Sequence, residues 1–204
     1  MTDQSEWTGK VGNVWAEEWQ RTDRSFGPLT QKLIAVARSA PFAQAIDIGC
    51  GAGEISLALA AGAPSSHVLG VDISHDLLQV ARVRGKDRPN LRFELANAAN
   101  WHAGAAERPD LVVSRHGVMF FADPTAAFTH IAGQVAPGAR LAFSCFRERA
   151  DNNWARELAS IAPPGEEPAP DPEAPGPFAF GRRERTETLL AQAGWTDIAF
   201  EAVD

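Results

Sequence analysis

Cysteine is scarce: Cys50 and Cys145 are the two in 204 residues, far apart, with no CxxC and no histidine pair at ligand spacing. That excludes a disulfide framework and argues against a zinc site, leaving two small buried thiols in a reducing compartment as the expectation. Basic charge is in deficit, with 19 Lys and Arg against 26 Asp and Glu for a net charge of −7. A protein that grips a phosphate backbone needs clustered cations, so a small-molecule partner is expected and a nucleic acid is not. No apolar run approaches the roughly 20 residues that cross a bilayer. The opening MTDQSEWTGK has neither the basic start nor the apolar stretch of a secretory signal, which points to the cytoplasm.

What is present is an ordinary globular balance, 45% hydrophobic and 22% charged, in a length that suits one core. Short apolar runs alternate with helix-like ones. Strands are predicted at 45–49 (AIDIG), 67–73 (HVLGVDI), 90–96, 110–116, 139–146 and 196–203. Between them the pattern predicts helices at 54–62, at 75–84 with Ser74 as N-cap, at 124–136 with Pro124 in the first turn, and at 182–194 closed by Gly194. Strands separated by helices imply βαβ units: a doubly wound, mostly parallel α/β sheet with helices on both faces.

Two regions stand outside this rhythm. Residues 1–40 hold two helix-like stretches, VWAEEWQR (14–21) and PLTQKLIAVARSA (28–40), and form a helical cap over one end of a domain spanning 41–204. PPGEEPAPDPEAPGP (163–177) is too rich in proline for helix or interior strand, so it reads as a loop or as a lid, with PFAF (177–180) supplying apolar side chains. The chain stops just after the sixth predicted strand. That strand would leave an open sheet edge, met either by more chain or by pairing with a second copy.

The stretch AIDIGCGAGEISLALA carries alternating glycines at Gly49, Gly51 and Gly53 between a strand and a helix. Glycines there permit positive φ and let a ligand approach the backbone without meeting a Cβ. In an open α/β sheet this loop lies where strand order reverses, which is where ligands bind. The spacing matches neither the dinucleotide fingerprint nor a P-loop, and Glu54 at the helix start would oppose a pyrophosphate. Asp72, ending the second strand, is placed to accept hydrogen bonds from both hydroxyls of a ribose, or else to cap the next helix. A phosphate-free nucleoside ligand fits this pattern better than NAD.

D-I-G-C-G-A-G after a strand, with an acidic residue ending the next strand, resembles the first two motifs of class I S-adenosylmethionine-dependent methyltransferases. SRHGVMFFADPTAAF (114–128) followed by APGARLAF (136–143) is similar to the small-molecule branch that includes ubiquinone and menaquinone methyltransferases. The resemblance implies a Rossmann-like fold with S-adenosylmethionine as cofactor. It implies that Gly49, Cys50, Gly51 and Gly53 lie against the methionine part, with Asp47 orienting the loop. Asp72 would hold the ribose, Ile73 would flank the adenine, Asn97 and Ala98 would meet the adenine edge, and the backbone at Ser114 and Arg115 would close the methionine side. Asn97 stands where the family often has Asp. The family's sheet has a seventh, antiparallel strand inserted between the fifth and sixth, and only six strands are predicted here.

A sulfonium methyl is already electrophilic, so alignment with an acceptor and exclusion of water are the main tasks. If the acceptor is a hydroxyl, His116 at the end of the fourth strand is the best placed general base; otherwise it is a polar packing residue of the pocket wall. Arg115 is either a carboxylate ligand or half of an ion pair. Trp15, Met119, Phe120, Phe121 and Phe178 are substrate-pocket residues or core. Trp7, Trp15 and Trp19 give the cap aromatic faces able to stack on adenine or attract a sulfonium. The function expected is methyl transfer to a small molecule, with a catalytically inactive cofactor-binding module as the alternative and no metal.

Overall fold

The computed structural model describes residues 4–104, 107–161, 171 and 173–203; the rest of the expected 163–177 lid lies outside the described residues. Four helices open the chain: α1 (Gln4–Trp7), α2 (Lys10–Glu17), α3 (Trp19–Ser25) and α4 (Gly27–Ala37). Next come β1 (Gln44–Ile48), α5 (Glu54–Gly62), β2 (His67–Asp72), α6 (His75–Gly85), β3 (Leu91–Leu95) and β4 (Leu111–Arg115). A 3₁₀ turn at Gly117–Phe120 leads to α7 (Pro124–Gln134) and β5 (Arg140–Ser144). A second 3₁₀ turn, Arg149–Asp151, precedes α8 (Asn153–Ile161) and α9 (Arg183–Gln192).

The local signals act as expected. Ser74 Oγ accepts the Leu77 N–H at 3.4 Å to start α6, and Asp123 caps α7 ahead of Pro124. Gly194, at φ +91°, donates its N–H to the Ala191 carbonyl and ends α9.

The five strands form one parallel sheet in the order β3-β2-β1-β4-β5. Side chains alternate across it. Ile46, Ile48, Val71 and Val112 join Phe128 and Ile131 of α7 and Leu189 and Leu190 of α9 in one core. Ala45, Val68, Leu111 and Val113 join Leu33 of α4 and Leu59 of α5 in the other. This is the doubly wound Rossmann-like sheet with helices on both faces. From β1 the chain steps one way to β2 and β3, then returns to β4 on the other side, so the loop after β1 lies at the reversal point.

One expected element is absent. Residues 196–203 form no strand, so the sheet edge on that side is β5 rather than a sixth strand. A strand needs a hydrogen-bonded partner, and among the described residues no strand pairs with β5 on its outer side to bridge to this segment. Side chains hold the segment instead: Ile198 packs on the core, Glu201 pairs with Lys32 at 2.5 Å, and Arg183 lies 5.0 Å from the Phe200 ring centre. Helix α8, in contrast, forms where no element was predicted, and among the described residues no helix is long and apolar enough to cross a membrane.

Candidate functional site: the glycine loop and its aromatic cavity

The loop after β1 is built on three left-handed glycines, Gly49, Gly51 and Gly53, at φ of +65°, +53° and +86°. The N–H groups of Gly49 and Cys50 both donate to the Val71 carbonyl, at 2.9 and 3.1 Å, and so tie the loop to β2. A Cβ on Gly49 would lie 2.7 Å from the Cα of Gly117, and one on Gly117 would lie 2.6 Å from the Ile48 carbonyl oxygen. Two glycines therefore let the ends of β1 and β4 touch. Ser114 fixes this junction: its Oγ donates to the Ile48 carbonyl at 2.7 Å and accepts the N–H groups of Gly117 and Val118 at 3.1 and 3.3 Å.

Two carboxylates sit under the loop. Asp47 is 1% exposed and accepts the Ser56 hydroxyl at 2.6 Å. Burial pushes its pKa up to about 6, against the opposing effects of the Ser56 hydrogen bond and the Arg115 charge. Asp72 accepts the Gly51 N–H on one oxygen and the Ser74 N–H on the other, both at 2.8 Å. Its pKa is also raised by burial, with those N–H groups working the other way. Cys50 is a buried free thiol whose ionisation is strongly opposed, first by desolvation and then by both aspartates.

At the end of β4, Arg115 donates to Glu54 of α5 and to the Thr30 hydroxyl of α4, the latter at 2.7 Å, and its second nitrogen lies 3.8 Å from Asp23 of α3. Burial lowers its pKa, and the nearby aspartates oppose that shift. His116 adopts a left-handed backbone at φ +66°, unusual for a residue with a Cβ. Its ring stacks on Phe146 at 4.4 Å and meets the edge of Phe26 at 5.0 Å. Burial, helped by the charge of Arg115, lowers its pKa to about 4, so the imidazole is neutral at physiological pH. Its Nε2 is buried without a partner.

These groups surround one cavity of about 560 Å³. Of the residues read from sequence, Asp47, Gly49, Cys50, Gly51, Asp72, Ile73, Asn97, Ala98, Arg115 and His116 line it, with Trp15, Met119, Phe120 and Phe121. Three do not. Gly53 faces Phe93 and Ala81 and opens α5; Ser114 lies beneath the floor as the hub described above. Phe178 sits behind the wall, stacked at 5.6 Å on Trp154, which does line the cavity. Trp7 and Trp19 line it as well, so the helical cap forms its roof. Sequence reasoning missed Asp23, Phe26, Phe146 and Trp154. Phe146 stands at the end of the strand predicted at 139–146, and nothing in the sequence marked Asp23, Phe26 or Trp154.

A sulfonium nucleoside fits these residues. The space beside the Gly51 Cα is open, with no atom within 4 Å of where its Cβ would stand, so the loop presents bare backbone to the cavity. Each oxygen of Asp72 accepts one N–H and keeps a lone pair for a ribose hydroxyl. Glu54 at the first turn of α5 rules against a pyrophosphate there, and Arg115 already engages it.

Comparison with known proteins agrees. Residues 45–138 match the family model described as a methyltransferase domain. The chain is 30% identical over 166 residues to a trans-aconitate 2-methyltransferase of Variovorax paradoxus, covering 80% of this chain and 58% of that protein. It is 31% identical over 136 residues to a ubiquinone biosynthesis O-methyltransferase of Aromatoleum aromaticum, covering 63% of this chain and 57% of that one. It thus spans a little over half the length of these curated relatives. Among solved structures, N-methyltransferase NodS of Bradyrhizobium japonicum in complex with S-adenosyl-L-homocysteine superposes with a TM-score of 0.53 at 20% identity, covering 64% of each chain. A Nostoc punctiforme protein superposes at 0.69 and 16% identity, covering 90% of this chain and 54% of that one. Its glycine loop, its strand order and these likenesses agree: residues 45–138 match a methyltransferase domain, and the fold is the Rossmann-like fold of methyltransferases.

Proposed function

We propose that the protein transfers a methyl group from S-adenosylmethionine to an uncharged, flat and largely apolar small molecule. The observation that carries this reading is the continuity of the glycine loop and Asp72 with an aromatic cavity in a single space. Bound there, S-adenosylmethionine would supply an electrophilic sulfonium methyl for in-line transfer to an acceptor heteroatom, with S-adenosylhomocysteine as the leaving group and the acceptor's proton released. The chain's own part is to hold and to shield. The Gly49–Gly51 backbone receives the methionine part, with Asp47 orienting the loop and the backbone at Ser114 and Arg115 closing that side. Asp72 takes the ribose, Ile73 flanks the adenine, and Asn97 and Ala98 meet its edge.

The acceptor side is walled by Phe26, Phe120, His116, Phe146 and Trp154. Arg115 is the only lysine or arginine among the described lining residues, and Glu54 and Asp23 already balance it. Trans-aconitate, the acceptor named for several relatives, carries three carboxylates. In this cavity they would face Asp23, Asp47 and Asp72 without a free cation, a burial that is strongly unfavourable. His116 is neutral with its Nε2 buried and unpartnered, so it is placed to accept a hydrogen bond from an acceptor hydroxyl, while its lowered pKa makes it a weak general base.

Neither the family nor the relatives support an inactive binding module. A cytoplasmic location, lack of nucleic-acid binding and pairing of a second copy along the open β5 edge belong to the same proposal. The acidic charge, the free thiols and the lack of a strand beyond β5 among the described residues support them. The test is transfer of a labelled methyl from S-adenosylmethionine to a panel of phenols, neutral enols and trans-aconitate. Labelling of trans-aconitate in preference to every neutral acceptor would overturn the substrate class.

A further inference from the structure

The roof of the cavity belongs to α3, which contributes Trp19, Thr22, Asp23 and Ser25, and to Phe26 just after it. Besides ring contacts of Phe26 with His116 and Phe146, the ion pairs that tie α3 to the sheet and α6 converge on one carboxylate. Asp23 Oδ2 accepts a hydrogen bond from Arg84 of α6 at 2.7 Å, and Asp23 Oδ1 lies 3.8 Å from Arg115 of β4. Each oxygen thus addresses a different arginine of the Rossmann core. All three side chains are largely enclosed, at 16%, 19% and 15% exposure for Asp23, Arg84 and Arg115.

Arg84 does more than pair. Its Nη1 donates to the Ala52 carbonyl in the glycine loop at 2.7 Å, and its guanidinium lies 3.9 Å over the Trp19 ring of the roof. A single planar cation therefore grips the loop, the roof and the carboxylate together, using the fixed fork that lysine lacks. Arg115 makes the matching junction on the methionine side, between Asp23, Thr30 and Glu54. The position of the cap is thereby coupled to the conformation of the loop.

We propose that Asp23 is a positioning residue, a two-armed latch that holds the N-terminal cap over the cofactor through Arg84 and Arg115 and so sets how long the cofactor stays bound. This rests on the methyltransferase reading above for the identity of the ligand. The coupling runs both ways: a cofactor that orders the loop tightens the latch, and the latch slows release of the cofactor. Removing the carboxylate leaves Arg84 enclosed with the Ala52 carbonyl and the Trp19 ring but without the Asp23 counter-charge, which favours the open roof.

The test measures dissociation of S-adenosylhomocysteine by tryptophan fluorescence, and amide hydrogen exchange of α3 without ligand, in wild type, Asp23→Asn, Asp23→Glu and Arg84→Lys. Asp23→Asn is expected to speed dissociation roughly tenfold or more. It should accelerate exchange in α3 by a similar factor while β1 and β4 stay protected. Asp23→Glu should recover part of both effects, and Arg84→Lys, which keeps the charge but loses the fork, should fall between. Should Asp23→Asn not fold, Arg84→Lys carries the same test. Unchanged exchange in α3 overturns the latch. Slower dissociation does so too, marking Asp23 as a competitor for Arg115. If wild type binds no S-adenosylhomocysteine, the cofactor assignment fails, and exchange in α3 still decides whether Asp23 latches the cap.

Discussion

Replacing Asp47 by Asn should make the protein more stable and a poorer binder of its cofactor. Asp47 is ionised at neutral pH in both folded and unfolded chains, but in the fold it is 1% exposed and its pKa is raised from 3.8 to about 6. That difference corresponds to about 3 kcal/mol of destabilisation above the folded pKa. The sign follows from proton binding. Between about pH 4 and about pH 6 the folded state holds a proton that the unfolded state has lost, so stability contributed by this group falls as pH rises through that window. Asn is a neutral isostere, and its side-chain oxygen still accepts the Ser56 hydroxyl, now at 2.6 Å from Asp47. Urea denaturation of wild type and Asp47→Asn at about pH 7.5 should show the variant ahead by up to about 3 kcal/mol, with the lead shrinking toward zero near pH 4. A variant less stable at neutral pH, or a gap that does not change with pH, would refute the reasoning. The gain in stability should come with weaker cofactor binding, since the loop loses its orienting charge.

Ser114→Ala strands the Ile48 carbonyl and the N–H groups of Gly117 and Val118 and should cost about 2 to 4 kcal/mol in thermal or urea unfolding; a loss under about 1 kcal/mol would deny the hub. Gly117→Ala drives a Cβ to 2.6 Å from the Ile48 carbonyl and 2.8 Å from the Gly49 Cα, so it should destabilise by about 3 kcal/mol or more and weaken titration with S-adenosylhomocysteine. For a hydroxyl acceptor, any acid limb that His116 imposes on kcat should lie near the pKa of about 4 set by burial and Arg115; a limb near 6.5 that His116→Gln removes would contradict the neutral, enclosed imidazole.

The glycine loop, Asp72 and the parallel sheet were legible in the sequence because each is written in neighbouring residues: a strand run, glycines where φ turns positive, a carboxylate at the next strand's end. The roof was legible only as tryptophans near the N-terminus. Asp23 and Arg84 are brought together by α2 and α3 folding back on α6, and no local pattern encodes a pair of that kind. Gly117 was hidden for the same reason, its need arising from contact with Gly49 across two strands. The strand predicted at 196–203 has the right alternation, but a strand depends on the neighbour it pairs with, and composition alone does not supply one. Phe178 had the right chemistry for the wall and sits one layer behind it, against Trp154.

The central claim is that the glycine loop and Asp72 form the cofactor site. Calorimetric titration of wild type, Asp72→Ala and Gly51→Arg with S-adenosylmethionine, S-adenosylhomocysteine and NAD tests it most directly. The account predicts that wild type binds the two sulfur-containing ligands and not NAD, that Asp72→Ala binds them more weakly, and that an arginine side chain filling the open space at Gly51 abolishes binding in a protein that still unfolds cooperatively. Undiminished binding by the Gly51→Arg protein, or preference of the wild type for NAD, would contradict it.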